Sequence, residues 1–104
     1  MEDKQKEILT DRFLLGGFCE AQRLLDEGIA TIKDIDLAMR AGAGFAQGPF
    51  ALADSLGLDV VLQRLEDLQK AYGDRFAPPP MLRDLVARGH LGRKTNKGYY
   101  EYTA

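Results

Sequence analysis

The sequence predicts an all-α fold of about five helices joined by short loops. Apolar residues recur at helical spacing along most of the chain, and most of these stretches end at a glycine. The length of 104 residues and the 45% of hydrophobic residues suit one globular domain with a modest core, spanning 1–104. Charged residues make up 29%, which is ordinary for a globular protein, and the hydrophobic fraction is too high for a disordered chain.

The first helix is predicted over about 3–27, with Gly28 at its left-handed C-terminal cap. Such a helix of ~25 residues is ~37 Å long, so its first turns should extend beyond a core of this size. Gly16 and Gly17 in its middle indicate a bend or the close approach of another element. The apolar set at helical spacing is Ile8, Leu14, Leu15, Phe18, Cys19, Ala21, Leu24 and Leu25.

The second helix should begin after Thr31, a favourable N-cap, and run to about Ala41. It is expected to bury four residues: Ile32, Ile35, Ala38 and Met39. Pro49 suits the first turn of a short helix over about 50–56, because its missing N–H would be unpaired there in any case. Gly57 should end that helix.

The remaining helices follow the same pattern. Asp59 is predicted to cap a helix that closes at Gly73, and Pro80 should open a last helix that ends near Gly89. The segment from 92 onwards contains turn formers, three cations and three tyrosines. We expect a loop there and then an extended segment that lies back on the helices.

Composition excludes several classes of function. A net charge of −2 gives no excess of cations for nucleic acid, and no apolar run approaches the ~20 residues that span a membrane. The start "MEDKQKE" lacks the apolar stretch of a signal peptide. Cys19 and His90 are each the single residue of their type, so an internal disulfide and a Cys/His zinc site are both excluded. We therefore expect a reduced, metal-free, cytoplasmic protein.

Two phosphate-binding motifs are approached but not met. "AGAGFAQG" (41–48) resembles a dinucleotide fingerprint, yet Gln47 stands where the third glycine belongs and no predicted strand precedes it. "GRKT" (92–95) lacks the spacing of a phosphate loop, because an arginine separates the glycine from the lysine. Cys19 is expected to be a buried apolar residue and His90 to face solvent, so no nucleophile–base pair is visible.

Two longer stretches carry a specific resemblance. "GFAQGPFALADSLGLD" (44–59), followed by "PPPMLRDLVARGHLGRKTNKGYYEY" (78–102), resembles the C-terminal helical domain of the L-3-hydroxyacyl-CoA dehydrogenases. "DRFLLGGFCEAQRLLDEGIATIKDIDLAMRAGAG" (11–44) resembles that family's first helix and its "EDID-AM" segment. The likeness extends from about Ile8 to Tyr102. It implies a helical domain of the 6-phosphogluconate dehydrogenase C-terminal type.

The resemblance implies a function shared between two domains. In full-length relatives a Rossmann domain carries NAD and a catalytic His–Glu pair, while the helical domain forms one wall of the acyl-CoA cleft and most of the dimer interface. This chain has no Rossmann half. It is expected to be an excised domain or a separately encoded protein of fatty-acid β-oxidation, homodimeric and inactive alone.

The resemblance also implies a set of substrate-binding residues. Phe45 to Pro49 would face the cleft, and the cations of the C-terminal turn would meet the phosphates of CoA. The simpler alternatives are a tight helix-to-helix corner and a solvated turn. The expected set is Asp11, Phe45, Gln47, Gly48, Pro49, Arg93, Lys94 and Lys97.

Asp11 departs from the family pattern. Asp11 and Arg12 stand where the family usually has Asn-Arg, and that asparagine contacts the substrate carbonyl and the catalytic dyad. An ionised carboxylate only accepts hydrogen bonds, whereas an amide also donates. Asp11 is therefore either a helix residue paired with Arg12 or Lys4, or the mark of a copy with weakened or altered catalysis. Asn96 and Tyr99, in place of a more usual Gly and Phe, are expected to matter little.

Three functions remain open from the sequence. The first is the substrate-side and dimerisation domain of an NAD-dependent 3-hydroxyacyl-CoA dehydrogenase, acting with a Rossmann domain in cis or in trans. The second is a stand-alone acyl-CoA-binding or regulatory module. The third is an assembly module that only dimerises.

Overall fold

The computed structural model describes residues 1–103 and confirms an all-α fold with five helices. Two single-turn 3₁₀ segments, Asp74–Phe76 and Arg93–Thr95, follow the fourth and fifth helices. The helices are α1 Asp3–Asp26, α2 Ile32–Ala43, α3 Pro49–Leu56, α4 Leu58–Tyr72 and α5 Pro80–Ala87.

α1 is the long helix that the sequence predicts, and only its second half packs into the core. Residues 1–10 are all exposed, whereas Leu15, Phe18 and Cys19 are buried. Burial raises the pKa of the Cys19 thiol, consistent with the expected apolar role. The first turns of α1 therefore extend beyond the core.

The C-terminal tail completes the core instead of leaving it. Tyr99 packs against Phe18 and Phe50, with ring centroids 5.8 and 4.9 Å away. Its hydroxyl donates to Gln22 Oε1 at 2.5 Å, and the Gln22 amide donates in turn to Asp26 at 2.9 Å. The prediction that the tail lies back on the helices is confirmed, and Tyr99 matters more than expected because its hydroxyl satisfies a buried amide.

Helix ends agree with the local signals in most places. Thr31 Oγ1 accepts the backbone N–H of Asp34 at 3.1 Å, so the N-cap of α2 is confirmed. The predicted burial of Ala38 is wrong, since that residue is exposed. The predicted cap at Asp59 is also wrong: α4 starts one residue earlier, and its Leu58 N–H donates to the Leu91 carbonyl at 2.9 Å. A long-range contact replaces the local cap.

Two global features bear on function. No helix in residues 1–103 is long and apolar enough to cross a membrane. The same residues contain no group of three or more His, Cys, Asp or Glu side chains placed to hold a metal ion.

Candidate functional site

The connection between α2 and α3 is a tight corner with two exposed side chains. Gly44 ends α2 in the left-handed conformation (φ 75°), and Pro49 lies in the first turn of α3. Phe45 keeps 50% of its surface exposed. Gln47 is exposed and donates from Nε2 to the Ser55 hydroxyl at 3.1 Å. The corner therefore presents an aromatic ring and an amide on its outside.

The buried carboxylate of Asp36 fixes this corner from the inside. Its oxygens accept the backbone N–H groups of Phe50 at 2.9 Å and Ala51 at 3.0 Å, and the Tyr100 hydroxyl at 2.6 Å. A Cβ at Gly48 would lie 2.3 Å from the Asp36 Cα and Cβ atoms, so only glycine fits there. Burial, and then the hydrogen bond to Asp36, raise the pKa of Tyr100.

The same contact makes the geometry of the glycine-rich segment different from that of a dinucleotide-binding loop. Gly44 stands at the carbonyl end of α2, where the helix dipole repels anions. The N–H groups of Phe50 and Ala51 at the start of α3 point toward a nearby anion site, but both already donate to the Asp36 carboxylate. Residues 1–103 also contain no strand. Residues 41–48 thus form a helix end and a corner rather than the strand–turn–helix of a dinucleotide fingerprint.

A small apolar groove lies beside the corner. Its walls come from α1, α2, the corner itself and α3, and Gln47 is its single polar side chain. Its volume is only about 60 Å³, so by itself it has room for a methyl-sized group rather than a chain, with one amide at its rim. The lining residues are Phe13, Leu14, Gly17, Met39, Phe45, Gln47, Pro49 and Leu52.

Asp11 lies elsewhere on α1 and has a partner that the sequence did not suggest. Its carboxylate accepts a hydrogen bond from Arg64 Nη1 of α4 at 3.4 Å, and its side chain is 20% exposed. Neither expected partner, Arg12 or Lys4, pairs with Asp11. The Arg12 guanidinium stacks on Tyr72 instead, with its central carbon 4.5 Å from the ring centroid. Asp11 does not line the apolar groove.

The three cations of the C-terminal turn belong neither to the apolar groove nor to the Asp11 contact, and each has a partner within the chain. Lys94 Nζ lies 2.6 Å from Asp59, and its hydrogen bond holds the pKa of that carboxyl below its usual range. Lys97 pairs with Glu101 at 3.3 Å. The Arg93 guanidinium lies 4.6 Å from the centre of the Tyr102 ring. Lys94 remains 46% exposed and Lys97 48%, so both are accessible.

Sequence reasoning missed Asp54, the second buried carboxylate, which is 1% exposed. It accepts the backbone N–H groups of Tyr99 and Tyr100, both at 3.0 Å, and the Tyr102 hydroxyl at 2.7 Å. The one available signal was an aspartate within the apolar segment "PFALADSL". Asp54 anchors the tail, just as Asp36 anchors the corner.

The predicted site residues thus fall in three places. Phe45, Gln47 and Pro49 share the apolar groove, with Gly48 buried behind them. Asp11 belongs to the α1–α4 contact, and the cations belong to the C-terminal turn; neither group lines the groove. A surface that uses all three places has to extend across several elements of the domain.

The same domain occurs in known proteins. The family model of the 3-hydroxyacyl-CoA dehydrogenase C-terminal domain matches residues 9–102. A probable 3-hydroxyacyl-CoA dehydrogenase of Caenorhabditis elegans is 43% identical over 97 residues, covering 91% of this chain and 33% of that protein.

Two solved structures share the fold. The (S)-3-hydroxybutyryl-CoA dehydrogenase of Ralstonia eutropha superposes with a TM-score of 0.83 at 40% identity, over 90% of this chain and 34% of that one. The 3-hydroxybutyryl-CoA dehydrogenase of Escherichia coli gives a TM-score of 0.85 at 36% identity, over 91% and 21%. The chain thus spans between 21% and 34% of the length of these relatives. Since the match covers almost all of its residues and its helices superpose on theirs, the chain belongs to the 3-hydroxyacyl-CoA dehydrogenase C-terminal domain family.

Proposed function

We propose that this chain is the substrate-side and dimerisation domain of an NAD-dependent 3-hydroxyacyl-CoA dehydrogenase, completed by a Rossmann domain in cis or in trans. The observation that supports it most directly is the apolar groove beside the rigid corner, with the Gln47 amide at its rim. The relatives that share this domain are dehydrogenases of 3-hydroxyacyl-CoA and 3-hydroxybutyryl-CoA.

In this proposal the groove, of only about 60 Å³, forms one wall of the acyl site, and the Rossmann domain supplies the rest. Leu14, Met39 and Leu52 provide an apolar surface that keeps water from the chain. Gln47 carries the one amide that could donate to a substrate carbonyl, after it exchanges its bond to Ser55. NAD supplies hydride transfer and belongs to the partner domain. We therefore expect the isolated chain neither to bind NAD tightly nor to turn over substrate.

The C-terminal turn would bind the phosphates of CoA. Lys94 would exchange Asp59 for a phosphate, and Arg93 and Lys97 would add to the local positive charge. Replacing Lys94 with alanine should weaken acyl-CoA binding by about 1.5–3 kcal/mol, the scale of a charged hydrogen bond. Titration calorimetry measures this, with Lys70→Ala on α4 as the matched control. Equal affinities for both variants and the parent would remove the turn from the site.

Self-association follows from the projecting part of α1. On one side of this part, the apolar side chains of Ile8 and of Met1, just before the helix, are 37% and 78% exposed. A symmetric dimer would cover them. Sedimentation should show a dimer at high micromolar concentration that Ile8→Asp converts to monomer. Ile29→Asp, at a residue 63% exposed outside the helix, should leave the dimer intact. A parent chain that stays monomeric would contradict this proposal.

The catalytic role is tested by mixing the chain with the Rossmann domain of a family relative and following NADH with a 3-ketoacyl-CoA. Turnover should require both components. Asp11→Asn should be faster than the parent if residue 11 faces the substrate carbonyl, because an amide donates where a carboxylate repels. The Asn variant also weakens the Asp11–Arg64 pair, so Arg64→Gln is the matched control that breaks the pair without supplying an amide.

The outcomes separate the alternatives. A gain in Asp11→Asn without a gain in Arg64→Gln would support a substrate-facing residue 11. Equal rates for Asp11→Asn and the parent would place that residue outside the cleft. Absence of turnover in every mixture, with acyl-CoA binding retained, would favour a stand-alone binding module. Absence of both, with the dimer retained, would favour an assembly module.

A further inference from the structure

A second and larger groove, here called the arginine groove, lies between α1 and the 3₁₀ turn Asp74–Phe76. Its cavity volume is about 460 Å³, within the ~300–1,000 Å³ range of small-molecule sites. Its lining contains three arginines and no carboxylate, and apolar atoms dominate the rest. The lining residues are Leu9, Arg12, Phe13, Gly16, Arg23, Arg75 and Phe76.

Two of these arginines have no carboxylate partner among residues 1–103. Arg23 is engaged, since it donates to Glu20 and to the Arg75 carbonyl, both at 3.3 Å. Arg12 and Arg75 make no ion pair within the same range. The groove therefore carries positive charge that the described part of the chain does not neutralise.

Aromatic stacking holds both guanidinium groups in place. Their central carbons lie 4.5 Å (Arg12) and 5.9 Å (Arg75) from the centroid of one ring, that of Tyr72. Arg75 also lies 5.1 Å from the Phe76 centroid. Stacked guanidinium groups lose little further freedom when they bind an anion, and their planar donors match a carboxylate. The two distances to one centroid place the guanidinium carbons within about 10 Å of each other, so both cations lie at the same end of the groove.

The apolar walls define the rest of the ligand. Leu9 and Phe13 are 47% and 80% exposed along one side of the groove, and the Phe76 ring lies beside Gly16, 3.6 Å from where its Cβ would be. A hydrated inorganic anion would leave these walls uncovered, and a neutral chain would leave the cations unpaired. We propose that the arginine groove binds a medium-chain carboxylate, with its head group at the Arg12 and Arg75 end and its chain along Leu9 and Phe13.

A second copy of the chain is a poorer occupant of this groove. A two-fold contact centred on it would bring Arg12 and Arg75 of both copies together, and like charges in contact are destabilising. The proposed self-association is better served by the Met1 and Ile8 side of the projecting helix.

The test is a titration of the chain with octanoate, followed by the backbone amide shifts of Gly16 and Phe76 in NMR spectra. Octanol and inorganic phosphate serve as the ligands that lack the charge or the chain. Arg75→Gln and Arg12→Gln should each weaken octanoate binding by about tenfold, the scale of a charge-assisted hydrogen bond. Arg88→Gln, at the C-terminal cap of α5, is the matched control, because Arg88 is exposed and already pairs with Asp84 at 3.0 Å.

Octanoate that binds more tightly than octanol and phosphate, with a loss confined to the groove variants, supports the proposal. Octanoate no tighter than octanol overturns it, as does an equal affinity of the groove variants and Arg88→Gln. Shifts at Phe45 and Leu52 would assign octanoate to the other, apolar groove and also overturn it. Affinity that falls as self-association rises would show a second copy in the groove. A peptide made only of Asp and Glu that binds more tightly than octanoate would overturn the proposal in favour of an acidic protein partner.

Discussion

Replacing Gly48 with alanine should destabilise the domain, and the reason is packing rather than backbone conformation. Gly48 has φ −72°, which every residue adopts. The obstacle is Asp36: a Cβ at position 48 would lie 2.3 Å from its Cα and Cβ atoms and 2.4 Å from its Cγ atom. Carbon atoms in contact prefer about 3.5–4 Å, so the corner has to move by roughly 1 Å.

That movement determines the magnitude. The Asp36 carboxylate lies 2.9 Å from the Phe50 nitrogen and 3.0 Å from the Ala51 nitrogen. A shift of about 1 Å takes both contacts beyond hydrogen-bond distance. Two hydrogen bonds to a buried carboxylate, at about 1.5 kcal/mol each, give a loss of about 3 kcal/mol. In a domain of this size, such a loss lowers the melting temperature by about 12–24 °C.

Chemical denaturation followed by circular dichroism measures the free energy of unfolding, with Gly17→Ala as the matched control. A Cβ at Gly17 has no neighbour within 4 Å. Alanine there should therefore stabilise the monomer by about 0.5–1 kcal/mol, because alanine favours a helix interior over glycine. The reasoning is refuted if Gly48→Ala unfolds within about 0.5 kcal/mol of the parent, the usual range of a harmless surface substitution.

Three further outcomes follow from the buried and paired groups. Asp54→Ala should lower the free energy of unfolding by about 3–5 kcal/mol, because it leaves two backbone N–H groups and a hydroxyl without an acceptor. Tyr102→Phe removes only the hydroxyl and should cost about 1 kcal/mol. Equal losses in the two variants would contradict this assignment. Lys94 lowers the pKa of Asp59, so their pair should stabilise the fold above the ordinary aspartate pKa of about 4 and lose that effect as the pH falls through the lowered value. Asp59→Asn should remove that part of the acid dependence, and an unchanged pH profile would contradict it. Cys19 is 3% exposed with a raised pKa, so a thiol reagent should label it only after unfolding, and rapid labelling of the native chain would show that α1 opens.

Local patterns were sufficient to predict the helices, because short-range interactions determine where a helix begins and ends. Thr31 and Pro49 begin α2 and α3, and Gly57 ends α3, where the sequence places them. Each acts through its own backbone or a group a few residues away. The exposure of Phe45 and Gln47 was likewise predictable, because they lie in a short corner of glycines and a proline between two helices.

The candidate site depended on contacts between distant parts of the chain. Asp11 pairs with Arg64 rather than a neighbour on its own helix, and Asp59 serves as the partner of Lys94 rather than as a cap. Asp36 received no role from the sequence, although it fixes the corner that borders the groove. A buried carboxylate is stable only where several donors converge on it, and such convergence arises only after the helices pack. The sequence alone therefore determined the helices and the family resemblance, whereas the tertiary structure decided which charges are held inside the protein and which remain available to a ligand.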